Sequence, residues 1–70
     1  MKKDPKIWHE TAEIYNGAGM HEDAVACYDR ALEINPHDDV AWFRKGFTLF
    51  LLDKRSEALE CYEKALAINP

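Results

Sequence analysis

Two stretches decide the fold: CYDRALEINP at residues 27–36 and CYEKALAINP at residues 61–70. They lie 34 positions apart and differ in kind only at Glu33/Ala67. Carried upstream, the same offset sets Ala24 on Ala58 and Trp8 on Trp42. The windows 5–36 and 39–70 share nine identities in all. Asp23/Glu57, Val25/Leu59, Asp29/Glu63 and Arg30/Lys64 are conservative besides. Matches gathered at one fixed offset mark a duplicated unit.

Each unit reads as two helices. Asp4-Pro5 is an N-cap followed by a proline in the first turn, where a missing N–H and a fixed φ do no harm. Trp8, Ala12 and Tyr15 recur at i, i+4 and i+7 as one helical stripe. Gly17 and Gly19 break that helix. Ala24, Cys27, Tyr28 and Ala31 form the stripe of a second helix, which stops at Asn35-Pro36. Asp38 is placed to cap a third helix, in which Trp42, Gly46 and Leu49 repeat the first stripe. Residues 53–55 form the next break, and Ala58, Cys61, Tyr62 and Ala65 repeat the second stripe. No segment alternates with period two for long enough to be a strand. The expected fold is all-α, with four antiparallel helices in two pairs, repeat one at 5–38 and repeat two at 39–70 after a leader at 1–4.

A 34-residue helix–turn–helix unit with these residues at these offsets resembles the tetratricopeptide repeat. The first unit supplies Trp8, Ala12, Tyr15, Ala24, Tyr28, Ala31 and Pro36. The second supplies Trp42, Gly46, Leu49, Ala58, Tyr62, Ala65 and Pro70. The pattern departs at Thr11 and Lys45, where leucine is usual, at Leu49 in place of tyrosine, and at Asp53 in place of a turn glycine. The resemblance implies a short right-handed α-solenoid fragment. It also implies a non-catalytic protein-interaction module, in which the first helix of each repeat lines a concave groove that takes up peptides.

In that arrangement the stripe beside Trp8/Ala12/Tyr15 is Lys6, His9, Glu13 and Asn16, which is polar. Its counterpart on the third helix is Val40, Phe43, Phe47 and Phe50, with Leu51 and Arg44 alongside. That helix is apolar on two faces, which calls for cover on more than one side. Phe43, Phe47 and Phe50 are therefore candidate anchors for an apolar partner segment, with Arg44, His9, Glu13 and Asn16 orienting it. The other reading is that the rings fold back on the first helix and complete a small core. The family's grip on a terminal carboxylate uses Lys, Asn and Arg over three repeats. The matching positions here hold His9, Glu13 and Arg44, and Glu13 would repel a carboxylate.

Leu59, Tyr62, Leu66 and Ile68 form a second candidate surface on the last helix, with no capping helix after it. A solenoid repeat ordinarily buries its neighbour's face. A homodimer or helix exchange through this face would make the chain a structural self-assembly unit. Further repeats in a longer chain would cover the same face.

Composition narrows the remaining classes. Seventy residues with 9 Lys/Arg and 13 Asp/Glu leave a net charge of −4. One small domain fits that length, with a core that only marginally offsets the entropy of ordering the chain. An acidic chain lacks the basic field that nucleic acid or an anionic membrane requires. The longest apolar run, Phe47–Leu52, is far short of the roughly 20 residues of a membrane span. MKKDPKIWHE has a basic start without the apolar segment of a secretory signal. Two cysteines are too few for a disulfide framework, so a cytoplasmic, reducing location is expected. Cys27 and Cys61 share one repeat position and read as small buried hydrophobes. A disulfide between them would require the helices to bring the two very close. His9-Glu10-x-x-Glu13 lacks the second histidine of a zinc-protease helix, and His21 and His37 lie in turns without ligand spacing. No catalytic constellation, metal site or cofactor motif is expected.

Overall fold

The protein is described here by a computed structural model, which covers residues 4–70. Of the expected leader only Asp4 is among them, and residues 1–3 lie outside the described part. Four helices follow one another: α1 Pro5–Gly17, α2 His21–Ile34, α3 Asp39–Leu51 and α4 Arg55–Ile68. No strand occurs among the described residues. Each helix of the second pair begins and ends 34 positions after its counterpart in the first. The internal repeat is therefore a repeat of structure.

The helix boundaries have local causes. Asp4 accepts a hydrogen bond from the Lys6 amide at 2.9 Å, and Pro5 opens the first turn of α1. Asp38 accepts from the Ala41 amide at 3.1 Å at the start of α3. Such caps satisfy amides that have no partner within the helix. Both first helices of a pair end in the same way. The Gly19 and Met20 amides donate back to Asn16 at 3.1 Å and Tyr15 at 2.8 Å. The Asp53 and Lys54 amides donate to Phe50 at 3.0 Å and Leu49 at 2.9 Å. This double closure puts the residue after the cap in the left-handed region. Gly19 has φ +78 and Asp53 has φ +63. Gly17 belongs to the last turn of α1 rather than to the break, and Gly19 is the residue that turns the chain. α2 ends one residue before Asn35-Pro36, as the proline requires.

Packing runs α1 on α2, α2 on α3 and α3 on α4. Ala12, Ala24, Cys27 and Tyr28 form the core of the first pair, flanked by Trp8 and Tyr15. Ala31, Leu32 and Ala41 seal the seam between the pairs, with Trp8 and Trp42 against them. Leu49, Ala58 and Cys61 form the core of the second pair. Small residues at the crossings let the helices approach while the rings fill the flanks. At Gly46 the approach is tightest. A Cβ there would lie 2.9 Å from Tyr62 Cε1 and 3.1 Å from the Ala58 carbonyl oxygen.

Polar bonds tie the seam together. His9 Nε2 meets Asp38 Oδ2 at 2.7 Å, and Arg44 reaches Glu13 at 2.7 Å. Lys45 pairs with Asp29 at 2.6 Å, its ammonium 5.6 Å from the centre of the Trp42 ring. Lys45 thus covers the position where leucine is usual, its alkyl stem lying along apolar surface and its charge answered by Asp29. Asn16 Nδ2 donates to the fully buried Thr48 hydroxyl at 3.0 Å, and Thr48 donates to the Arg44 carbonyl at 2.9 Å.

Candidate functional site

The candidate surface is built on α3. Its helical period turns Trp42, Gly46 and Leu49 toward α4 and leaves Phe43, Phe47 and Phe50 on a neighbouring stripe. Each of these rings exposes half or more of its surface, so they do not fold back to complete the core. Phe43 leans on Tyr62, ring centres 5.4 Å apart at 47°. Phe47 and Phe50 continue the stripe, and Leu51 and Val40 are exposed beside it. A contiguous exposed apolar stripe is a candidate interaction surface.

The polar residues expected to orient a partner sit along the same seam, each already engaged within the chain. Arg44 and Glu13 answer each other. Asn16 lies between Thr48 and His21, whose Nδ1 is 2.8 Å from Asn16 Oδ1. His9 is held by Asp38 and stands edge-on to Tyr28, ring centres 5.7 Å apart. Their first task is therefore to hold α3 against the first pair. Of the four, Arg44 and Glu13 keep substantial exposure, with side chains 42% and 58% accessible.

On the last helix, Leu59 and Leu66 are exposed while Tyr62 and Ile68 are half-buried. Tyr62 and Leu66 do not stand alone. With Val40 and Phe43 of α3 they wall an almost wholly apolar groove of about 450 Å³, closed at one end by Asp39 and Asn69. Asn69 donates to Asp39 at 3.1 Å across that end. The outer face of α1 carries two exposed isoleucines, Ile7 and Ile14, that sequence reasoning did not single out. The signal was available, because the 34-residue offset sets them on Ala41 and Thr48.

The remaining chemistry is quiet. Cys27 and Cys61 are buried free thiols in separate core clusters. Burial pushes both thiols above their ordinary value of 9.0, with nearby Asp23 adding to the effect at Cys27. Lys45 partly opposes it at Cys61. Such groups are poor nucleophiles. Burial also raises the Tyr28 phenol, against the lowering pull of Arg44. Among the described residues no three His, Cys, Asp or Glu side chains gather as a metal site. No helix there is long and apolar enough to cross a membrane.

Paired helices repeating every 34 residues, with small residues at every crossing, define an α-helical repeat protein. A tetratricopeptide repeat profile matches residues 40–70, and a second profile of the same description matches residues 5–48. The chain belongs to the tetratricopeptide repeat family. Its repeats are generally modules for protein–protein interaction and generally non-catalytic. Among curated proteins none matches the chain closely enough to count as a relative.

Proposed function

We propose that this chain binds a segment of a partner protein along the concave side of its first-of-pair helices, with Phe43, Phe47 and Phe50 as anchors. The observation that carries the reading is the exposure of three phenylalanines on one stripe of α3. Aromatic anchors supply large contact area at low entropy cost, and such residues dominate binding where they cluster. Arg44 and Glu13, exposed at the edge of the stripe, set the polar register of the bound segment. The thiols suit a reducing, cytoplasmic setting.

The test begins with peptides selected from a random displayed library on the folded chain. Phe47→Glu and Phe50→Glu should each weaken the selected peptides at least tenfold while helical circular dichroism stays unchanged. Exposed sites tolerate the charge, so folding is preserved. Peptides that bind the Phe47→Glu/Phe50→Glu double variant as well as the original would end this reading.

A further inference from the structure

The seam between the two pairs is an internal template for the groove at the far end. Leu32 and Leu66 are equivalent by the 34-residue offset, yet Leu32 is 9% exposed and Leu66 is 62% exposed. What covers Leu32 is the outer face of α3, through Ala41. No described residue covers the equivalent face of α1 to the same degree. Ile7 is 63% exposed where Ala41 is 0%, and Ile14 is 72% exposed where Thr48 is 0%. One end of the molecule thus shows the groove, and the other shows the face that fills such a groove.

We propose that the chain self-associates head to tail. The α1 face of one copy, Ile7 and Ile14, docks in the Val40/Phe43/Tyr62/Leu66 groove of the next. The occupant follows from continuity with the internal seam, translated by one pair of helices. Ile7 takes the place of Ala41 and meets Ala65 and Leu66, and the open groove accommodates its larger side chain. Ile14 takes the place of Thr48. Its counterpart across the seam is then Phe50, as Asn16 is the counterpart of Thr48. A buried polar pair inside the chain thereby corresponds to an apolar pair between chains. The other internal bonds map without like charges opposed: His9–Asp38 onto Phe43–Asp4, Glu13–Arg44 onto Phe47–Glu10, and Asp29–Lys45 onto Glu63–Thr11. Loss of those ion pairs makes the contact weaker than the seam and dependent on concentration. Because the two faces differ, the contact is heterologous and does not close on itself by a two-fold axis.

The contact shares Phe43 and Phe50 with the proposed peptide stripe, so the variants that separate the two readings are at Ile14 and Leu66, which lie off that stripe. Sedimentation of the 70-residue chain from about 10 µM to about 1 mM should show mass rising beyond a dimer. Ile14→Lys and Leu66→Lys should each abolish the rise, with helicity retained because both sites face solvent in the monomer. Ile7→Lys is the second variant for the α1 face. The decisive sample mixes the two single variants. Each has lost one face and kept the other, so the mixture should form a heterodimer that grows no further. A strict monomer at about 1 mM would overturn the proposal. So would a Leu66→Lys variant that associates as before. An Ile14→Lys variant that still dimerises would also overturn it, because pairing would then be symmetric through the groove alone.

Discussion

Asp53 holds a left-handed conformation, φ +63, at the position where the first pair has Gly19 at φ +78. A side chain in that region crowds the following carbonyl, which costs about 1–2 kcal/mol for most residues and less for Asp. Among the described residues its only ionic partner is Arg55 at 3.3 Å, with both side chains largely in solvent. Exposed pairs of that kind contribute little. Asp53→Gly should therefore stabilise the chain slightly, by up to about 0.5 kcal/mol, after the extra freedom glycine brings to the unfolded state is discounted. The mirrored Gly19→Asp should destabilise by a similar amount, although nothing lies within 4 Å of a Cβ there. Urea midpoints that move in opposite directions at constant slope would establish the point. If Asp53→Gly lowered the midpoint, the side chain would have a role beyond the turn.

At the scale of the helices, one of the bonds between α1 and α3 ends on a buried hydroxyl. Thr48 accepts from Asn16 and donates to Arg44 within a seam that leaves it no access to water. Thr48→Val keeps the shape but takes the acceptor from the half-buried Asn16 amide, a loss of about 0.5–1.5 kcal/mol. Asn16→Leu also gives up the His21 contact, so the quantity to read is the coupling: the double variant should lose less than the two single losses together. Non-additive free energies in a double-mutant cycle would show it, whereas strict additivity would mean that the bond contributes nothing. This bond was not legible beforehand, because its partners are 32 residues apart and meet only once α3 has docked. The helices were legible, since Asp4-Pro5, Asp38 and the Trp/small/aromatic spacings act locally. The phenylalanine stripe was legible for the same reason, from i, i+4 and i+7 positions on a single helix. Whether its polar neighbours stood free was not, because the Arg44–Glu13 and His9–Asp38 pairings depend on the packing between repeats. Ile7 and Ile14 lay in a middle category. Their exposure follows from the repeat offset, but only when equivalent residues are compared for what covers them.

For the molecule as a whole, ionisable groups sit in both cores, so alkaline pH acts on the entire stack. Cys27 and Tyr28 belong to the core of the first pair and Cys61 to that of the second. Burial raises the thiols above 9.0 and the phenol above 10.0. The folded state therefore holds these protons more tightly than the unfolded state does. Below about pH 7.5 both states keep them, and stability does not depend on these groups. As pH rises further, the unfolded chain releases protons first, and unfolding becomes easier in proportion to the difference in bound protons. Stability should thus be level near neutrality, decline through the thiol range above about pH 7.5, and decline more steeply where Tyr28 joins above about pH 10. Cys27→Ala/Cys61→Ala isolates the first part, because alanine fills the same small apolar role without a proton to lose. Its unfolding free energy will start lower from the lost volume, so the slope against pH is the quantity to compare. Urea titrations from pH 7 to pH 10 should give a flatter line for the double variant between about pH 8.5 and pH 10. Parallel lines would mean that the thiols reach solvent in the native state. In that case they would react with a thiol reagent as fast as free cysteine, which the closed packing of Cys27 and Cys61 argues against.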